Sequence, residues 1–506
     1  MTAARHTGLI TLSIMMATIM QALDTTIANV ALPHMQGSLN ATQEQASWVL
    51  TSYIVACAIM TAPTGILAAR IGRKRLFLIS VAGFTFTSVL CGVAQNLPEM
   101  VLFRLLQGVF GAGLVPLSQA VLLDTYPKEK HGQAMSMWGM GVMLGPILGP
   151  SLGGWLTEYY NWRWVFYINL PIGVATFFGI LLFMPETEKT PSRRFDGFGF
   201  ALLALSIGAL QLLLDRGQSK DWFASTEIVV ECIVAGLAFY LFVVHILTAQ
   251  KPFLEPALFR DRNYAASLVL IFVVGIILLS SMALLPPFLQ KLMGFPVMTT
   301  GLVLAPRGLG SMLAMAVAGR LTRHVDSRLL MLTGLLLTAY SLWQMSLFTT
   351  DVSTRLIVEN GLIQGFGMGF VFVPLSALAY STLAPHHRND AAAVFSLIRN
   401  IGSSVGISVV TTLLARNIQI NHAELGSHLV NYGAQGNLLD SATDQLSASG
   451  ETSNSLLMLD SMVNSQAATI AYLNDFRLMM MVVLLVIPLL IFLRRTAAPA
   501  AGNTAP

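Results

Sequence analysis

The sequence predicts an all-α protein that crosses a membrane about fourteen times, and three observations carry that expectation. Hydrophobic residues make up 55% of the 506 and charged residues only 11%, where soluble domains carry about 25% charged. Apolar windows of about 20 residues, the length a helix needs to span a bilayer, recur from one end to the other. The Lys and Arg residues between these windows fall on alternate sides.

The first window, near 8–32, is too long for the apolar core of a cleavable signal and reads as a span. Five more follow near 45–68, 77–95, 100–123, 133–157 and 164–184. A pair lies near 197–214 and 226–247, and six others near 265–289, 298–320, 329–348, 355–380, 391–414 and 477–493. One set of alternate connections, with the termini, holds nineteen Lys and Arg, including Arg5, Arg70, Arg73, Lys74, Arg75, Lys189, Arg193, Arg194, Lys251, Arg323, Arg388, Arg494 and Arg495. The opposite set holds seven: Arg163, Arg216, Lys220, Lys291, Arg355, Arg416 and Arg477. Cytoplasmic loops carry the excess of basic residues, so both termini are expected in the cytoplasm. The net charge of +4 is thereby a topology signal, and nothing in it calls for nucleic acid.

A weak internal repeat organises the spans. Gly65-Ile-Leu-Ala-Ala-Arg-Ile-Gly-Arg-Lys-Arg75 after the second window is echoed by Gly319-Arg-Leu-Thr-Arg-His-Val-Asp-Ser-Arg328 after the tenth. Leu106-Gln107-Gly108 matches Ile363-Gln364-Gly365, and Pro116-Leu117-Ser118 matches Pro374-Leu375-Ser376. Both pairs are about 255 residues apart, while six spans need only about 180, which leaves room for two more helices between the halves. The expected plan is a six-helix bundle over 1–190, two inserted helices over 191–250, a second six-helix bundle over 251–495 containing an outer loop at 415–475, and a tail at 496–506. Internal duplication with a substrate site between the repeats is a transporter architecture.

Within the fifth window, Gly141, Gly145, Gly149 and Gly153 recur every fourth residue, with Gly154 beside them. Such a bare ridge lets another helix approach backbone to backbone. Pro146 and Pro150 remove two backbone donors from the same segment, so the helix is expected to pack closely and to bend.

Ionisable groups cost energy within a span, about 2.5–3.5 kcal/mol each on insertion scales, and so point to a water-filled pathway or a helix end. Asp24 shares a polar stripe with Gln21, Thr25 and Ala28 in the first window. It reads either as a proton-binding carboxylate or as an acid reaching for the outer surface. Arg104 shares a face with Gln107 and Gly108 near the outer boundary, and reads either as a partner for a carboxylate or as a snorkelling cation. Arg399 lies deeper, on a stripe with Ser396, Asn400 and Ser403 that reads as a cavity wall. Arg307 is the remaining interior cation, whereas Glu231 and His245 fall in an inserted helix. His386 and His387 read as solvated, and Cys57, Cys91 and Cys232 as small buried side chains. No catalytic constellation, phosphate loop or metal-ligand spacing is present, so no enzyme, cofactor or metal site is expected.

These motifs resemble the major facilitator superfamily, and within it the fourteen-span drug:proton antiporters of the EmrB/QacA type, over essentially the whole chain. Gly65, Arg70, Gly72, Arg73 and Arg75 match its cytoplasmic loop signature, a gate element. Arg104, Gln107 and Gly108 match the fourth-helix signature associated with proton coupling, and Gly141 to Gly154 the fifth-helix antiporter signature. Asp24-Thr25-Thr26 through Pro33 and Trp162-Arg163-Trp164 through Asn169-Leu-Pro171 match elements of the fourteen-span group. Ala69 departs from the pattern, standing where the loop signature usually has Asp. Residues 302–319 lack the acidic residue of relatives that export divalent cations.

The resemblance implies proton-motive-force-driven efflux of hydrophobic or amphiphilic compounds across a bacterial inner membrane. The fourth-helix signature implies a part for Arg104 in proton coupling; the residues themselves add Asp24 as the proton carrier and Gln21, Thr25, Gln107, Gln364, Arg399, Asn400 and Ser403 as candidates for the substrate cavity. It also implies a periplasmic adaptor (membrane fusion protein) and an outer-membrane channel as partners. The 415–475 segment is polar and acidic, and Leu456, Leu459, Val463 and Ile470 recur close to helical spacing, which suggests a short amphipathic helix. It reads as a docking element or as a linker. A dedicated exporter of one metabolite or toxin, or an uptake symporter, are the alternatives on the same fold.

Overall fold

The computed structural model describes residues 7–186, 195–250, 252, 254–322, 324–384, 387–433 and 452–493, and their regular structure is entirely helical. The first half comprises α1 (Thr7–Ser38), α2 (Gln43–Thr61), α3 (Thr64–Ile71), α4 (Arg73–Val93), α5 (Leu97–Gly111), α6 (Leu114–Thr125), α7 (His131–Tyr159), α8 (Trp164–Tyr167) and α9 (Asn169–Phe183). The inserted pair is α10 (Gly197–Arg216) and α11 (Thr226–Thr248). The second half comprises α12 (Ala257–Arg260), α13 (Arg262–Pro287), α14 (Val297–Leu321), α15 (Ser327–Met345), α16 (Thr354–Ala379), α17 (Arg388–Gly433) and α18 (Thr452–Val486).

Local chemistry sets several of these boundaries. Thr42 and Gln45 form a reciprocal capping box at the start of α2, and Asn96 caps α5 through the Glu99 N–H, each satisfying donors that a helix start leaves orphaned. Pro63 cannot donate to a preceding carbonyl, and α2 and α3 meet there at a bend of 57°. Gly72 joins α3 to α4 with φ 101°, a conformation that favours glycine.

Among the described residues, eleven helical segments are long and apolar enough to cross a membrane, twelve with the bent α2–α3 pair. Helices α7 and α15, of 29 and 19 residues, stand at the expected fifth and eleventh spans but are not among the twelve. The glycines that let α7 pack closely also dilute its hydropathy.

Within the first half α1 packs on α7 and α9, and α2 and α4 on α5; within the second, α14 and α15 pack on α16 and α13 on α17. The halves meet along α7–α14 and where α17 crosses α2, α3 and α6. Helix α10 leans on both α2 and α17, so the inserted pair straps this second seam. The strap is polar: Gln211 Nε2 donates to Ser404 Oγ (2.9 Å), Ser408 Oγ donates to the Leu214 carbonyl (2.8 Å), and Thr51 donates to the Asp215 carboxylate. Glu231 pairs with Arg216 at 3.2 Å and His245 with Asp196 at 2.8 Å, so these two ionisable groups of the inserted helix are bound within the hairpin.

Three expectations are corrected. Cys232 is exposed on α11, whose outer side also shows Ile233, Leu237 and Phe239, while Cys57 and Cys91 are buried. A helix packed on one side only presents its other side to lipid. His387 lies 3.4 Å from the Glu255 carboxylate instead of in open solvent. The 415–475 segment holds much more helix than the short amphipathic stretch expected: α17 runs 46 residues and α18 35. Helix α17 therefore continues 19 residues beyond its expected end at 414, or about 28 Å. His422 meets Asp460 at 2.9 Å and Asn421 Nδ2 donates to the Ala467 carbonyl at 3.2 Å, tying the two extensions together. The domain boundary at 190/191, residues 434–451 with Asp440, Asp444 and Glu451, the 496–506 tail, and Arg5, Lys189, Arg193, Arg194, Lys251, Arg323, His386, Arg494 and Arg495 lie outside the described residues.

Candidate functional site

Asp24 is fully buried, and its two carboxylate oxygens accept three hydrogen bonds from two other elements, α5 and α9. Arg104 donates to Oδ2 at 2.7 Å, while Gln107 Nε2 and Asn169 Nδ2 donate to Oδ1 at 2.9 and 3.0 Å. Arg104, 1% exposed, also donates to Gln107 Oε1 (2.8 Å) and to the Val49 carbonyl (3.1 Å), and its guanidinium stacks 4.3 Å over the Tyr53 ring. Asn169 shares its amide with Ser88 Oγ at 3.0 Å. An acid and a base are thus removed from water together and every charged oxygen is satisfied, the condition under which a buried ion pair is tolerated. Removing either partner would leave the other stranded.

Adjacent polar residues are distributed around this pair. Gln21 is half-buried and donates to the Tyr53 hydroxyl at 3.4 Å. Thr25, also half-buried, turns back onto the Ala22 carbonyl at 2.8 Å. The sequence reading missed Asn169 and Ser88 as members of the site. Asn169 stood in a recognised motif, but nothing in the spacing of 145 residues announces that its amide reaches Asp24.

The repeat reaches the side chains. An offset of 257 carries Gln107 to Gln364, Asp24 to Ser281 and Arg104 to Gly361. In the second half the acid is therefore replaced by a hydroxyl, and the cation comes from another helix. Arg307 of α14 packs against the Gly361 position and donates to Ser281 Oγ at 2.6 Å. Gln364 is fully buried, and neither amide atom finds a partner among the described residues.

The glycine ridge faces α1 on both sides of Asp24. A Cβ at Gly145 would strike the Ala22 backbone and one at Gly149 the Thr26 side chain, while one at Gly153 would meet Ile27 Cγ1 at 2.9 Å. Gly141 lies against Met15, whereas Gly154 has open space and is off the ridge. Thr26 Oγ1 donates to the Gly145 carbonyl at 3.0 Å across the contact. Pro146 and Pro150 lie within the helical backbone of α7. The opposite side of α7 meets α14, with Gly139 against Met315, Ile147 against Gly308, and Ser136 Oγ donating to the Met315 carbonyl at 2.6 Å.

At the end of the bundle that carries the 65–75 loop, Asp124 holds two arginines, Arg73 of its own half and Arg388 of the other at 2.6 Å. Gly65 packs directly on Asp390, so α3 lies against the start of α17. Arg70 is exposed, and Arg75 reaches Glu186 only at 4.0 Å. With Ala69 in place of the usual acid, the cross-half contact runs through Asp124 and Arg388. Asp124→Asn should accelerate amide hydrogen exchange in 64–71 and 388–394. The carboxylate is partly exposed, so about 1 kcal/mol, or roughly a fivefold change, is expected. Unchanged exchange would show that the triad does not hold the seam.

Arg399 and Asn400 are half-buried on α17. Ser403 donates to the carbonyls of Gly275 (3.3 Å) and Arg399 (2.9 Å), so it serves the α13–α17 contact.

The family model described as Major Facilitator Superfamily matches residues 14–407. The chain belongs to the major facilitator superfamily. Among relatives, the chain is 36% identical to the multidrug export protein EmrB of Escherichia coli (strain K12) over 419 residues, 82% of each chain. It is 34% identical to the probable multidrug resistance protein EmrY of the same strain, over 93% of this chain and 92% of that one. A solved structure of the proton:xylose symporter XylE bound to 6-bromo-6-deoxy-D-glucose has a TM-score of 0.60 at 13% identity, over 94% of this chain and 95% of that one, a likeness of fold alone. The protein is thus an all-α, multi-pass membrane transporter with the major facilitator fold.

Proposed function

We propose that this major facilitator protein expels hydrophobic or amphiphilic compounds in exchange for protons. The observation that carries the proposal is Asp24, a fully buried carboxylate whose one cationic partner among the described residues is Arg104. Proton uptake would neutralise Asp24, break the ion pair and leave Arg104 with Gln107 Oε1 and the Val49 carbonyl. That change is made on α1, between the Gly145 and Gly149 contacts that couple α1 to α7, and α7 is the helix that packs across the halves on α14. Protonation therefore acts on the element best placed to rock one bundle against the other. One proton crossing 100 mV supplies about 2.3 kcal/mol, enough for roughly a fiftyfold gradient of a neutral solute.

In this reading α7 and α15 also cross the membrane, giving fourteen spans with both termini in the cytoplasm of a bacterial inner membrane. The multidrug names of EmrB and EmrY favour export of many compounds over a single metabolite. Inverted membrane vesicles decide direction: energised vesicles should accumulate a fluorescent amphiphile and release it on addition of an uncoupler. Accumulation only in right-side-out vesicles would make the protein an uptake symporter.

The paired extensions of α17 and α18 extend to the outer side, where we place the contact with a periplasmic adaptor that passes substrate to an outer-membrane channel. Replacing 420–465 by a short Gly/Ser linker should leave transport in liposomes intact while abolishing adaptor crosslinking and cellular resistance. Retained crosslinking would put the adaptor elsewhere.

A further inference from the structure

Three arginines lie within the spans, and they are not equivalent. Arg104 has Asp24, whereas Arg307 has only Ser281 Oγ and the Leu278 carbonyl (3.4 Å), and no carboxylate pairs with Arg399 among the described residues. Arginine keeps its charge in proteins, and an unbalanced guanidinium at membrane depth marks a place where an anion is stabilised. Two such charges in the second half also make the interior unfavourable for a cation.

On the Arg399 turn and across the Tyr380 contact, two buried groups able to donate are left over. Gln119 Nε2 and the Ser396 hydroxyl are both buried and meet no partner among the described residues. The Gln119 acceptor is already taken: its Oε1 accepts from the Tyr380 hydroxyl at 3.3 Å, a bond that joins the two halves. The Tyr380 ring lies 5.6 Å from that of Phe395, one turn before Arg399. Residues i and i+4 of a helix share a face, so Arg399 stands on the Phe395 side of α17, the side that meets Tyr380. Elements of both halves thus converge on a half-buried cation with donors to spare and no acidic acceptor.

We propose that this point on the seam holds the carboxylate of an amphiphilic acid, with Arg399 as its counter-ion and Gln119 Nε2 and Ser396 Oγ as further donors. Planar guanidinium–carboxylate pairing supplies both strength and orientation, and the tail lies along the apolar walls of the seam. This rests on the reading of the protein as an exporter and adds the substrate class: acids in preference to cations or neutral amphiphiles.

The test keeps one tail and changes the head. Dodecanoate, dodecanol and dodecyltrimethylammonium are titrated against the full-length protein in nanodiscs at pH 8, where the acid is ionised. Dodecanoate should bind at least about tenfold tighter than dodecanol, and the ammonium no tighter than the alcohol. Arg399→Gln should bring dodecanoate to within about twofold of dodecanol, and Arg399→Lys should keep part of the preference. Gln119→Leu, with the arginine intact, should lower the preference about threefold and serves if Arg399→Gln does not fold. Equal binding of acid and alcohol, tighter binding of the ammonium, binding of none of the three, or a preference that survives Arg399→Gln would overturn the site. Proton movement on adding dodecanoate to proteoliposomes, beyond that in protein-free liposomes where the un-ionised acid itself carries protons across, separates the two readings. A preserved preference without proton movement removes proton exchange and leaves the site. Proton movement driven equally by the ammonium removes the site and leaves the exchange.

Discussion

Asp24→Asn should abolish proton-coupled efflux, with the variant conferring no more resistance than an empty membrane at matched protein level. Asparagine has nearly the shape of aspartate but cannot change its charge. It also turns an acceptor into an N–H donor in a site where Arg104, Gln107 and Asn169 all donate. The ion pair is lost as well, and breaking a buried pair by removing one partner typically costs about 3–5 kcal/mol. Arg104 keeps the Gln107 and Val49 oxygens and the Tyr53 ring, which holds the fold while function fails. Efflux is therefore normalised to the amount of protein inserted. Wild-type efflux per molecule would remove Asp24 from the proton pathway.

Gly145→Leu should have a comparable effect by a different route. The added side chain would run into the Ala22 backbone, two residues before Asp24, where no flexible side chain can give way. Overpacking of this kind costs about 1–3 kcal/mol, and here it must separate α1 from α7 and break the Thr26–Gly145 bond of 3.0 Å. Gly154→Leu is the control, because a Cβ there meets nothing within 4 Å. The expected outcome is an inserted but transport-dead Gly145→Leu beside a Gly154→Leu with near-normal efflux. If both variants transport normally, the ridge does not carry the coupling between α1 and α7.

What was legible in the sequence had a short-range or periodic cause. The spans follow from runs of apolar residues, and the glycine ridge from a four-residue period. Asp24 and Arg104 stood out because a charge in an apolar run is costly wherever it points. What was not legible depended on the tertiary approach of distant residues. Asn169 reaches Asp24, and Arg388 reaches Asp124 across the halves, only because α9 and α17 are packed where they are. The amphipathic helix around 456–470 was legible by its spacing, but the extension before it was not: polar residues between 415 and 433 continue a helix begun in an apolar run, and polarity alone does not end one. Ser403 looked like a cavity residue by its stripe, yet a neighbouring helix supplies its acceptor at Gly275.

The central claim is that a proton moves against substrate through Asp24. Purified protein in liposomes loaded with a pH-sensitive dye tests it most directly, with an amphiphilic substrate applied as a gradient and no other energy source. The wild-type protein should drive protons opposite to the substrate, and Asp24→Asn should move none even where it still binds substrate. Substrate movement without proton movement in the wild type, or equal proton movement in Asp24→Asn, would contradict the account.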